Sequence, residues 1–122
     1  MPLMQIAERR VGPVTILTMS GRLILGEGED LLRQRIDALV EEERLDIVLD
    51  LHDVTYIDSC GVGAVVAKHV SVTRRGGDLK VVCASDRCRR VLSVAGLLKI
   101  LQPYESEEVA VRALLARHEL SV

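Results

Sequence analysis

Asp58, Ser59 and Cys60 stand in a row where an apolar stretch ends and a glycine-rich one begins, in "DVTYIDSCGVGAVVAKHV", residues 53–70. A serine in such a place has three chemical uses: nucleophile, phosphate acceptor or helix cap. A hydrolase elbow reads G-x-S-x-G, its glycines relieving the crowding of a strained turn. Here Ile57 occupies the place of the first glycine. No histidine is placed as a base either: His52 precedes the turn, and His69 and His118 fall inside predicted helices. Cys60 lacks an assigned base in the same way, and a thiol needs activation to act as a nucleophile. No residue is assigned a catalytic role, and the chain is read as a non-enzyme.

Gly61-Val62-Gly63 opens like a dinucleotide fingerprint, but Val66 stands where the third glycine belongs and no G-K-[ST] follows. No cofactor is expected. The simplest role for Ser59 is an N-cap, its oxygen accepting a bond from the N–H two or three residues on. The same helix start offers free N–H groups and a positive dipole end, so it tolerates a phosphate on that serine. Phosphorylation would add about −1.5 to −2 charges to an exposed loop and alter any docked surface. Gly61 and Gly63 would keep the first turn low enough for another protein to approach.

The elements that must position Ser59 follow from periodicity. Met4 to Arg9 and Val14 to Ser20 read as strands joined at Gly12-Pro13 into a hairpin. Gly21 to Gly28 reads as a loop, and Leu31, Leu32, Ile36, Leu39 and Val40 place a helix over Glu29 to Glu43. Asp46 to Leu51 is a short apolar strand, with His52 to Asp58 as a connecting loop. From Ser59 onward Val62, Val65, Val66, His69, Val70 and Thr73 share one helical face, expected against the sheet. Cys60, Ala64, Ala67, Lys68 and Ser71 lie opposite, a smooth surface suited equally to a partner or a neighbouring helix.

Gly76-Gly77 ends that helix, and Leu79 to Cys83 is the next strand. Ser85 or Asp86 caps a third helix running to Ala95 with Gly96 as its stop. Ile100 to Tyr104 is a last short strand, and Ser106 starts a final helix to about His118. Strands separated by helices imply parallel crossovers, with the hairpin adding an antiparallel edge.

Composition bounds the partners. The 122 residues suit one domain over 1–122, with a core of branched aliphatics, two Tyr and no Trp or Phe. A net charge of −2 and so few aromatics argue against nucleic-acid binding. No apolar run reaches the roughly 18 to 20 residues of a membrane span. Cys60, Cys83 and Cys88 are odd in number and form no CxxC pair. They read as reduced thiols of a cytoplasmic protein, without metal or disulfide. Arg87, Arg89 and Arg90 read as a solvated face.

In order and spacing, "VTILTMSGRL", "DIVLDLHDVTYIDSCGVGAVV", "RRGGDLKVV" and "VLSVAGLLKIL" resemble STAS domains, over about residues 4 to 118. The closest group resembled is that of the bacterial anti-sigma factor antagonists. The resemblance implies an α/β fold with a mixed sheet of about five strands and four helices packed mainly on one face. It implies phosphorylation of Ser59 by an anti-sigma factor with serine kinase activity, and reversal by a phosphatase. Asp58, Cys60, Gly61, Gly63, Ala64 and Ala67 then become the candidate partner surface. Many members carry an acidic residue straight after the "GRL" segment; Ile24 stands there in this chain, and Glu27 is the candidate to supply that charge. Two other readings remain open: a STAS scaffold subunit of a stress-sensing or transporter assembly, with Ser59 only a cap, and a small nucleotide-binding protein.

Overall fold

The computed structural model describes residues 4–83, 85–94, 101 and 103–120. Strands β1 (Met4–Val11) and β2 (Val14–Leu23) form the expected antiparallel hairpin. Its two-residue loop needs a positive φ at its first position, which Gly12 supplies at 59°. Helix α1 (Glu27–Glu41) crosses to β3 (Asp46–Ile57), and α2 (Ser59–Arg74) crosses to β4 (Asp78–Val82). Both crossovers yield parallel pairs, giving the sheet order β1-β2-β3-β4. Helices α3 (Asp86–Val94) and α4 (Glu107–Leu120) follow.

Strand alternation builds two apolar layers. Leu17 and Met19 of β2, Ile47, Leu49 and Leu51 of β3, and Leu79 and Val81 of β4 face one side. There they meet Leu32, Ile36 and Leu39 of α1, Ala64, Val65 and Val72 of α2, and Leu92 of α3. Val14, Ile16, Val48 and Val82 face the other side and are covered by Ala110, Val111 and Leu114 of α4. The α/β class stands, with most helices on one face.

Several boundaries differ from the sequence reading. Of the last strand, expected over Ile100 to Tyr104, the described residues show one parallel bridge between Val82 and Tyr104, so the sheet has four strands among the described residues. Leu101 is helical and buried, while the expected stop at Gly96 lies outside the described residues. β3 continues through the stretch read as a loop, because residues 53–57 keep pairing with Ser20 to Leu23 of β2.

The apolar face of α2 is also turned by about one residue. Val65 is 2% exposed and Val72 fully buried, but Val70 is 40% exposed and Val66 and His69 only half-buried. Ala64, placed on the outer surface by the valine pattern, is fully buried. Lys68 pairs with Asp37 of α1 at 2.6 Å, so a neighbouring helix takes part of that surface. A helix with valines and alanines on every side gives periodicity too little contrast to fix its rotation.

Cys83 and Cys88 form a disulfide, correcting the expectation of three reduced thiols; Cys60 alone is free. The turn between β4 and α3 brings their Cα atoms to 5.9 Å, within bonding reach. An odd count never excluded one pair.

On the α4 side, burial and a hydrogen bond to Glu107 push the Asp50 carboxyl up to about 6. That bond holds Glu107 below its ordinary value, with Arg9 adding to the effect. The interaction joins β3 to the first turn of α4. Asp50 binds its proton more tightly folded than unfolded, so its contribution is present below pH 3.8 and lost as the pH rises through about 6. Urea melts of the wild type should therefore lose on the order of 1 kcal/mol between pH 5 and 7, after allowance for solvent screening. Asp50→Asn should flatten that profile.

For the core face, Val65→Ala should cost about 1 to 3 kcal/mol by lost burial and a residual cavity. Val70→Ala should stay within about 0.5 kcal/mol. Denaturant midpoints of the two variants check the rotation of α2.

Candidate functional site

The end of β3 delivers Asp58 in extended backbone, and Asp58, not Ser59, is the N-cap of α2. Its Oδ1 accepts from the Gly61 N–H at 2.9 Å, the interaction expected of a cap at the third helical position. The expected serine cap is thus corrected by one residue, and Ser59 stands exposed at the first position of the helix.

The second carboxylate oxygen does further work. Asp58 Oδ2 accepts from the Leu25 N–H at 3.0 Å, and the Asp58 N–H donates to the Leu23 carbonyl at 3.3 Å. One residue therefore ties the start of α2 to the turn that leads into α1. The Gly61 N–H first, and the Leu25 N–H second, hold the Asp58 carboxyl below its ordinary 3.8. The clamp is at full strength at neutral pH and lost as the pH falls through that lowered value.

The glycines play different parts. A Cβ on Gly61 would lie 2.2 Å from the Leu23 carbonyl oxygen, so Gly61 is buried to let α2 touch β2. It serves packing rather than a docked partner, correcting its place in the expected surface; fully buried Ala64 is corrected likewise. Around Gly63 a Cβ would meet nothing within 4 Å. Cys60 and Ala67 are half-buried. Glu27 is exposed at the first position of α1, two residues beyond the clamped Leu25 amide. Two helix starts are thereby brought to one edge of the sheet, Ser59 on one and Glu27 on the other.

Two exposed apolar side chains border this edge and were not singled out from the sequence: Leu25 at 68% and Tyr56 at 56%. Leu25 sat in a stretch read as loop, and Tyr56 in the continuation of β3, where alternation alone signals an outward side chain. Arg87 also reaches the edge, its guanidinium donating to the Thr55 carbonyl at 2.5 Å. Among the described residues no group of three or more His, Cys, Asp or Glu is placed to hold a metal. No described helix is long and apolar enough to cross a membrane.

A family model described as the STAS domain matches residues 5–110. The chain belongs to the STAS domain family. Its relatives include the anti-sigma F factor antagonist of Paenibacillus polymyxa, 28% identical over 112 residues, covering 91% of this chain and 95% of the relative. The anti-sigma-B factor antagonist of Bacillus subtilis is 35% identical over 71 residues, 58% of this chain and 64% of that protein. A crystal structure of a Thermotoga maritima protein proposed to be an anti-sigma factor antagonist superposes with a TM-score of 0.82 at 27% identity. The match covers 89% of this STAS domain and 93% of that chain.

The two glycines of this STAS domain should separate cleanly on substitution. Gly61→Ala forces a methyl into backbone and should cost roughly 2 to 3 kcal/mol. Gly63→Ala removes a helix-interior glycine in open space and should stabilise by up to about 1 kcal/mol. Thermal melts of both variants, beside Asp58→Ala (destabilising) and Ser59→Ala (near neutral), check the assignment of the cap.

Proposed function

We propose that this chain is an anti-sigma factor antagonist, a protein-binding switch set by phosphorylation of Ser59. The observation that carries the reading is the division of labour at the start of α2. Asp58 makes the cap, so the exposed Ser59 hydroxyl can be modified without removing a bond the helix needs. The names of the two relatives, anti-sigma F and anti-sigma-B factor antagonist, support the same reading.

Unphosphorylated, the chain binds an anti-sigma factor with serine kinase activity and so frees the sigma factor. The docking surface comprises Asp58, Ser59, Cys60, Gly63, Ala67 and Glu27, bordered by Leu25 and Tyr56. Kinase transfer places a dianionic group beside Asp58, which the positive end of α2 accommodates. The same charge opposes an acidic or apolar docking face, and the complex dissociates. ATP and Mg²⁺ are the kinase's, and a separate phosphatase resets the serine.

Affinity for the partner kinase, measured by calorimetry, should fall at least about tenfold on phosphorylation, a change of 1.4 kcal/mol. Ser59→Asp should weaken binding less than phosphate does, since it carries less charge. Ser59→Ala should bind like the wild type but resist release by ATP. Equal affinity in all four forms, or phosphate found by mass spectrometry only at Thr55, Ser71 or Thr73, would refute the switch.

A further inference from the structure

β3 overruns its neighbour. β4 pairs with it only from Asp46 to Asp50, so residues 51–57, which lead into Asp58 and Ser59, have a described strand partner on the β2 side alone. Helix α3 reaches back to this overhang through the Arg87 bond to the Thr55 carbonyl. Thr55 is itself tied to β2, its hydroxyl donating to the Gly21 carbonyl at 3.1 Å.

The described anchors of α3 are Leu92 in the core, the Arg89–Glu105 pair at 3.5 Å, the Arg87 bond and the Cys83–Cys88 disulfide. Cys83 is the fixed end of that disulfide. It directly follows β4, and its N–H donates to the Tyr104 carbonyl at 2.9 Å. Cys88 is the other end, in the first turn of α3, next to Arg87 and with its N–H capped by Ser85 Oγ at 3.2 Å. The covalent bond thus links the sheet to the turn of helix that grips the strand leading into Ser59.

Disulfides in reducing compartments are as a rule transient and regulatory. The reading of this chain as the partner of an intracellular kinase places it in such a compartment, and the inference rests on that reading. We propose that Cys83 and Cys88 form a reversible dithiol–disulfide switch whose oxidised state pins α3 to the strand end presenting Ser59 and whose reduced state loosens it. The oxidant is a low-molecular-weight disulfide. The thiolate of one cysteine attacks it, releasing one small thiol and leaving a mixed disulfide; the second cysteine's thiolate displaces the other small thiol. Two S–H bonds give way to one S–S bond in the protein, and two electrons and two protons leave on the two small thiols. Both cysteines are buried, so the exchange requires α3 to open.

The test uses the full chain equilibrated in glutathione buffers from reducing to oxidising, then trapped with an alkylating agent and weighed. Hydrogen exchange of the amides of residues 54–61 is followed at both extremes. Cys83 and Cys88 should convert together, and exchange across 54–61 should quicken about tenfold on reduction, as a local opening becomes easier. The Cys83→Ala/Cys88→Ala variant should exchange at the reduced rate in both buffers. Arg87→Ala, which leaves the disulfide in place, should lose most of the redox difference. Two free thiols at the oxidising extreme, unchanged exchange across 54–61, or a full redox difference retained in Arg87→Ala would each overturn the proposal. No partner enters these measurements, so a kinase indifferent to Ser59 would refute the proposed function and leave this result readable.

Discussion

Both oxygens of the Asp58 carboxylate are committed, one to the Gly61 N–H of α2 and one to the Leu25 N–H ahead of α1. These amides lie on segments separated by more than thirty residues, and the Gly61 N–H is one of the first helical donors, which lack partners inside their helix. A single anionic side chain satisfies one such donor and fixes the neighbouring turn at the same time. The exposure of Ser59, the approach of Glu27 and the outward display of Leu25 all depend on this arrangement. A neutral or shorter residue at 58 would leave two amides competing for water and the two helix starts free to part.

The end of β2 is the floor on which both helices stand. A Cβ on Gly28 would lie 2.4 Å from the Arg22 carbonyl oxygen, as one on Gly61 would crowd that of Leu23. Consecutive carbonyls of one strand thus meet the first turns of α1 and α2. The close approach needs glycine on each helix, which explains why "GEGED" and "SCGVG" share a small residue at the start without forming a nucleotide cradle. Opposite this floor, α4 covers the second face through Ala110, Val111 and Leu114 and takes no part in the candidate surface.

The order of strands and helices, the hairpin at Gly12-Pro13 and the site at Asp58-Ser59 were legible in the sequence because each has a local cause. The sequence offered Ser85 or Asp86 as one cap and Ser106 at the start of the last helix for the same reason, and the hydroxyls of Ser85 and Ser106 accept amides of their helices. What could not be read depends on contacts distant in the chain. The extension of β3 beyond Leu51 comes from pairing with Ser20 to Leu23, in residues too polar to read as a strand. The rotation of α2 is set by its fit against Leu23 and α1, where valine at so many positions hides the true face. Ser59 and Asp58 are both good caps by type, and only the position of the Gly61 amide chooses between them. The Cys83–Cys88 pair required a turn whose geometry no spacing rule supplies.

β1 lies at the outer edge of the sheet, and among the described residues no strand pairs with its far side. An edge of this kind is a template for aggregation unless something makes it a poor one. Here Glu8, Arg9 and Arg10 occupy successive exposed positions, and Arg9 is paired to Glu107 and Arg10 to Glu8 and Glu42 of its own chain. An incoming strand would have to strip water from three adjacent charges and pull apart bonds already made. Charge thus makes β1 a poor template for a further strand, whichever molecule supplies it.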